Sequence, residues 1–370
     1  VHRPSLAPES PLRPPAGQLF ATCRPVGGRD YAAAMRMGLL LGFEDSLATI
    51  TTLARRAEEA GFASVYTVEA GRSAVVPAAA VIAATEQVRV GTYVVNAYAR
   101  DPWLAGLVAR DLDELSGGRF VLGVGTGNPH FNQWYMGRDS SRPLAKMRDY
   151  LTVVRAVAAG RAGEAVRHQG LQHQTRWRAS WDPTRPRVPV YLSASGPNMV
   201  ALAGEASDGV GVGIMSSTTF MAEMVRPRAR AAASAAGRDP DGLAFPMGAL
   251  VSVNRDEEQA RRAVAAAVVG LFHPVPHPYY DSQLRQLGFA SFADQVAELM
   301  PRGETSAAMA LVPDEVIDTM TITGTPEQCV ARLVEYEGLA DEVIAFRVAQ
   351  RNEPSGAAAY DELLSLAALS

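Results

Sequence analysis

A chain of 370 residues that is 48% apolar and 20% charged, with a formal net charge of −4, can build a large buried core and has no electrostatic reason to meet nucleic acid or an anionic membrane. No apolar run approaches the ~18 residues of a membrane span. Two cysteines, Cys23 and Cys329, are too few for a disulfide framework, so a reducing, cytoplasmic setting is the simplest expectation.

Residues 1–34, rich in Pro and Arg (RPSLAPESPLRPP), lack the apolar stretch of a secretory signal and read as disordered. Because the sequence opens on Val1 and Met35 and Met37 stand just before the first apolar strand, this extension reads as either a mobile tail or an upstream start-site artefact. Met35 to Leu41 is that strand. A helix follows, with Leu47, Ile50, Leu53, Ala54 and Ala57 on its apolar face and Gly61 as its C-terminal cap. Phe62 to Val68 is a second strand, and the loop from Glu69 to Arg72 leads into an alanine-rich helix ending near Thr85.

Val88 to Asn96 is a β-branched third strand, which stops ahead of Pro102 because proline restricts Asp101 before it. Leu104, Leu107, Val108, Leu112 and Leu115 then recur at helical spacing and predict the buried face of a helix that Ser116-Gly117-Gly118 ends. Val121 to Gly125 is a fourth strand. After Asn128 the stretch NPHFNQWYMGRDSSRP reads as a long loop, followed by a helix from about Leu144 to Ala159 and an irregular, proline-punctuated segment.

Val188 to Ser193, Gly209 to Ile214 and Leu243 to Val253 supply strands five to seven. Pro197 suits the first position of one connecting helix, and a second helix is predicted over Phe220 to Ala236. Gly270 to Met320 does not read as a simple connection; with its HPVPHPYY run it predicts an insertion, at about 270–320, packed near the barrel mouth. Thr325-Pro326-Glu327-Gln328 is a capping box, Asp341 to Val348 is the eighth strand, and a short helix from Ala357 to Leu369 ends the chain. Eight strands alternating with helices predict an α/β fold, a (β/α)8 TIM barrel over residues 35–370 with insertions at its C-terminal face.

The stretch LDELSGGRFVLGVGTGN resembles the fourth-strand signature of the bacterial luciferase-like superfamily. VRVGTYVVNAYARDP resembles the third strand of its deazaflavin-dependent branch, which includes the methylenetetrahydromethanopterin reductases that use coenzyme F420. GLLLGFEDS, EEAGFASVYTVEA and VPVYLSASGPNMVALAGEASDGVGVG fit the same pattern in order, so the resemblance covers roughly residues 36 to 350. It implies a homodimer and a strand pair in the irregular segment. It also implies a non-prolyl cis peptide at Tyr93-Val94 against the middle of the deazaflavin ring.

Active sites of this fold lie at the carboxyl ends of the strands, which singles out Glu69, Asn96, Asn128, Ser193 to Gly196 and Ile214 to Ser217. The G-x-G run from Gly123 to Asn128 lacks the later glycine and acidic residue of a Rossmann fingerprint. Gly125 and Gly127 read instead as letting a flat ring approach the backbone, the alternative being relief of crowding between strands. Ser193, Ala194, Ser195 and Gly196 precede a helix amino terminus, a ready anion site that suits a cofactor phosphate, as the resemblance also implies.

Family members often carry His after the acidic residue of strand two and Glu or Asp after the strand-four glycines; this chain has Ala70 and Asn128 there. Asn128 can orient a substrate but cannot shuttle a proton, which leaves Glu69 and His130 as candidate acids and bases. Neither His273 with His277 nor His168 with His173 has zinc-type spacing, and no serine-hydrolase elbow is present. The expected activity is F420-dependent hydride transfer to or from a small organic substrate, with Asn96 and Asn128 on the ring or substrate and the Phe131–Trp134–Tyr135 loop covering it. The alternatives are an FMN-dependent monooxygenase of the same superfamily and a cofactor-binding barrel without turnover.

Overall fold

The computed structural model describes residues 35–42, 45–272, 279–351 and 353–369. The expectations for residues 1–34, for Cys23 and for His273 and His277 fall outside them. In chain order, the first half contains β1 (Met37–Leu41), α1 (Leu47–Ala60), β2 (Ser64–Thr67), α2 (Val75–Ala84), β3 (Arg89–Thr92), β4 (Val95–Asn96), α3 (Pro102–Leu115), β5 (Phe120–Gly125), α4 (Pro129–Met136) and α5 (Pro143–Ala159). A hairpin of β6 (Ala165–Gln169) and β7 (Gln174–Arg178) leads to β8 (Val190–Ser193), α6 (Pro197–Ala206) and β9 (Gly209–Gly211). Next come α7 (Thr218–Phe220), α8 (Arg226–Ala235), β10 (Pro246–Val253) and α9 (Glu257–Leu271). Four helices, α10 (Tyr280–Gln286), α11 (Ala290–Leu299), α12 (Thr305–Ala310) and α13 (Asp314–Met320), precede β11 (Ile322–Gly324), α14 (Pro326–Val334), β12 (Glu342–Arg347) and α15 (Asp361–Leu369).

The parallel sheet runs β11-β10-β12-β1-β2-β3-β5-β8-β9. Parallel bridges from Gly209 to Ala244 and from Val212 to Met247 join its far edge to the β10 region, and Gly248 N–H bonds Val212 O at 3.0 Å. The eight strands expected from the sequence therefore close into the α/β barrel. Leu40, Tyr66, Tyr93 and Ile344 form one buried cluster, packed by Val68, Val94, Ile214 and Phe346. The other face of the strands joins the main core under the helices.

Local signals decide the element ends. Ser46 caps α1 by accepting Thr49 N–H, and Gly61 ends it in the left-handed region at φ 94°. The Thr325 capping box opens α14, with Gln328 returning the bond to the Thr325 N–H. Cys329, on α14, is buried, and burial pushes its thiol up to about 12.

Several expectations are corrected. The stretch after Asn128 is not loop throughout, because Asn128 caps α4, Pro129 takes its first position and Gly137 ends it at φ 61°. The buried face of α3 is Ala105, Gly106, Ala109, Arg110, Leu112 and Asp113, while Leu104 and Leu115 are exposed. α3 lies so close to α5 that a Cβ on Gly106 would meet Val157 Cβ at 2.7 Å, and this close approach selects small residues. Asp113 is buried with a partner, since Arg185 Nη2 binds it at 2.6 Å. The helix expected over Phe220 to Ala236 begins as α7 and passes through a π-helical turn, Met221–Val225, just before Pro227, which has no N–H to donate. β11, a short strand on β10, was not foreseen.

Candidate active site at the carboxyl ends of the strands

The third strand breaks where the resemblance implied. β3 stops at Thr92, the Tyr93-Val94 peptide is cis, and β4 resumes beside β5. The Tyr93 ring crosses the barrel interior, where its hydroxyl bonds Val212 O and accepts Gly248 N–H at 3.2 Å. Val94 lies over the next strand, so that a Cβ on Gly125 would meet Val94 Cγ2 at 2.7 Å.

That geometry supports the crowding reading of the glycines. A Cβ on Gly123 would collide with Thr92 O, and one on Gly127 would meet Asn96 Nδ2 at 2.5 Å. Protein atoms of neighbouring segments therefore account for all three, and relief of crowding is sufficient without a ring above them.

Glu69 follows β2 and is tied down on both oxygens. Arg100 binds it through Nε at 2.9 and 3.1 Å and through Nη2 at 2.5 Å, while Asn96 N–H donates at 3.0 Å. Its side chain is 15% exposed, so this is a shielded, bidentate pair rather than a mobile rim contact. The arrangement anchors the start of the β4–α3 loop to β2.

Asn96 is also engaged. Its Oδ1 accepts Tyr98 N–H at 2.9 Å and its Nδ2 donates to Asn132 Oδ1 at 2.7 Å; Asn132 Nδ2 in turn reaches Thr126 O at 2.8 Å. Asn132, fully buried on α4, escaped the sequence reading because its segment was taken for a loop; its signal is the four-residue step from the Asn128 cap. Asn128 Oδ1 accepts His130 N–H at 2.9 Å, which makes Asn128 first of all the cap of α4.

The cap sets His130 on the first turn of α4, half-buried at the mouth, with its ring tilted against Trp134 at 5.7 Å between centroids. Phe131 and Tyr135 stack beside them at 5.3 Å. Trp134 and Tyr135 are largely exposed, and the aromatic segment is a helix where a loop was expected. From the insertion, Tyr279 brings its hydroxyl to Thr126 Oγ1 at 3.1 Å and Gly127 O at 3.3 Å. Tyr280 lies at the end of β9, near Gly213, with burial pushing its phenol up to about 12.

The turn after β8 has a different character. Ala194 is buried and bonds Gly211 O at 2.8 Å, which fixes the backbone. Gly196, the residue before α6, receives no side-chain cap, Pro197 occupies the first helical position, and a Cβ on Gly196 would meet nothing within 4 Å. Half-buried Ser195 stands beside this open helix end, a combination that fits a phosphate. The site thus combines an open, uncapped helix start, a fixed amide network and one histidine on α4.

Residues 20–342 match the family described as luciferase-like monooxygenase. A Mycobacterium tuberculosis protein named "Putative coenzyme F420-dependent oxidoreductase" is 29% identical over 334 residues, covering 82% of this chain and 92% of the relative. The 5,10-methylenetetrahydromethanopterin reductase of Methanolobus tindarius is also 29% identical, over 311 residues, covering 81% and 90%. Among solved structures, the coenzyme F420 dependent tetrahydromethanopterin reductase from Methanopyrus kandleri superposes with a TM-score of 0.74 at 24% identity, covering 90% of this chain and 97% of that one.

Proposed function

The chain belongs to the luciferase-like monooxygenase family, and from that premise we propose that it is an F420-dependent oxidoreductase acting on a small organic substrate. The observation that carries this reading is that two relatives, each covering more than four-fifths of the chain, bear names of F420-dependent or methanopterin-reducing enzymes. When bound, the deazaflavin supplies a carbon, C5, that gives or takes hydride.

The residues divide the remaining work. Ser195, Gly196 and the free N–H groups of the first turn of α6 hold the cofactor phosphate, with Ala194 fixing the turn beneath them. Tyr93 and Val94 form the surface behind the ring, and Gly125 and Gly127 keep the neighbouring strand low enough for Val94 and Asn96 to pack. Asn96, Asn132 and Thr126 hold that floor in one arrangement.

His130 exchanges the substrate proton, because Glu69 already spends both oxygens on Arg100 and the Asn96 N–H. Asn128 acts by setting the turn that carries His130. Phe131 and Trp134 exclude water from the substrate side.

The runner-up is an FMN-dependent monooxygenase, favoured by the description of the matched family itself. Assay of the purified chain with reduced and oxidised F420 against imines, enones and alcohols separates the two. Anaerobic, substrate-dependent interconversion of the cofactor supports the proposal, and turnover only with reduced FMN and oxygen refutes it.

A further inference from the structure

The loop between β2 and α2 carries Glu69 at one end and Arg72 near the other. It is held tightly: Glu69 N–H bonds Val94 O at 3.2 Å, Thr67 Oγ1 bonds Ala74 O at 2.8 Å, and Arg72 pairs with Ala70 across an antiparallel bridge. Arg72 is half-buried, and its Nε is sealed from water without a hydrogen-bond partner. Among the described residues its guanidinium forms no ion pair. Glu69 is adjacent in the loop but committed to Arg100, and Arg100 Nη2 also takes Ser73 Oγ at 3.0 Å. The charge of Arg100 is therefore balanced within the protein, whereas that of Arg72 is not.

The buried Nε of Arg72 is a donor left unmatched, its half-buried guanidinium has no carboxylate partner among the described residues, and its planar fork is shaped for a carboxylate or phosphate. We infer that Arg72 binds an ionised oxygen group of the substrate, making the substrate an anionic compound, a carboxylate or a phosphate ester. The inference rests on the F420 reading for its placement. The open turn assigned to the cofactor phosphate follows β8, and around the sheet β8 is separated from β2 by β3 and β5. The loop that carries Arg72 thus lies, around the sheet, on the other side of β3 from that turn, and this is the side assigned to the substrate.

The test uses the full chain, wild type, Arg72→Gln and Arg72→Lys, with and without F420. Binding is measured by calorimetry for matched probes: 2-oxo acids, enoates and aryl carboxylates beside their uncharged amides, and phosphate monoesters beside their parent alcohols. The expected result is an anion bound by the wild type about tenfold or more tighter than its neutral partner, a preference lost in Arg72→Gln and partly kept in Arg72→Lys. A panel with no anion preference, or a preference that survives in Arg72→Gln, overturns the inference. F420 and its uncharged, tail-less chromophore are titrated in parallel. Weakening of F420 alone by Arg72→Gln would mean that the anion is the cofactor's own, which also overturns the substrate assignment. Absence of F420 binding in the wild type is read separately and counts against the cofactor reading, not against an anion preference found in the cofactor-free protein.

Discussion

The two ends of the barrel each hold a carboxylate paired with an arginine, and they use it in opposite ways. At the amino ends of the strands, Glu342 is 2% exposed and receives Arg89 Nη2 at 2.7 Å, the Tyr66 hydroxyl at 3.2 Å and the Ser64 hydroxyl. Burial, reinforced by the Glu342 charge, holds the Tyr66 phenol well above its ordinary range. Even Gly38 belongs to this plug, since a Cβ there would meet Glu342 Oε1 at 2.9 Å. At the carboxyl ends, Glu69 and Arg100 fix the loops, and Arg72, His130 and the turn at Gly196 follow the carboxyl ends of β2, β5 and β8. One end is closed by a buried carboxylate network and the other carries the loops on which a parallel barrel places its sites.

Substitutions can break that contrast, in decreasing order of effect. Glu342→Ala leaves Arg89 without its buried partner and should cost about 3–5 kcal/mol in unfolding experiments. The folded fraction should still bind cofactor with unchanged affinity, and a parallel loss of binding would show that the two ends are not separable. His130→Gln should do the reverse, lowering turnover by about a hundredfold or more with an unfolding midpoint close to wild type. A rate within a few-fold of wild type would remove His130 from proton transfer. Gly196→Val fills the open space before α6 and should weaken F420 binding by roughly tenfold, with little change in stability, as read by fluorescence titration.

The smallest effect belongs to the closed end. Glu58 accepts N–H bonds from Gln87 at 2.6 Å, Val88 at 2.9 Å and Glu86 at 3.1 Å. Burial raises its carboxyl, but these bonds outweigh it and leave the pKa below the usual value. The stabilisation is therefore complete above the ordinary carboxylate range and is lost as pH falls through the lowered value. Wild type and Glu58→Gln should differ by about 1 kcal/mol near neutrality and converge in acid. A difference that persists in acid would show that the bond to a charged carboxylate is not its source.

Legibility in the sequence followed the range of the forces involved. The eight strands, the Gly61 cap and the Thr325 capping box depend on neighbours in sequence and were readable, as was the Tyr93-Val94 peptide through its resemblance. The α3 face was misread because leucine spacing reports hydrophobicity, whereas close packing against α5 selected Gly106 and Ala109 and buried a paired Asp113. α4 was missed although Asn128, Pro129 and Gly137 signal it, because its polar and aromatic composition suggested a loop. At the site, the engagement of Glu69 by Arg100, the bond from Asn96 to Asn132 and the uncompensated Arg72 depend on contacts between different loops. No spacing within a single segment encodes them.

The central claim is tested most directly by parallel fluorescence titration of the purified chain with F420 and with FMN, each oxidised and reduced. The account predicts saturable binding of F420, weakened by Gly196→Val, with FMN bound far more weakly. Preferential binding of reduced FMN, or binding of neither, would contradict it.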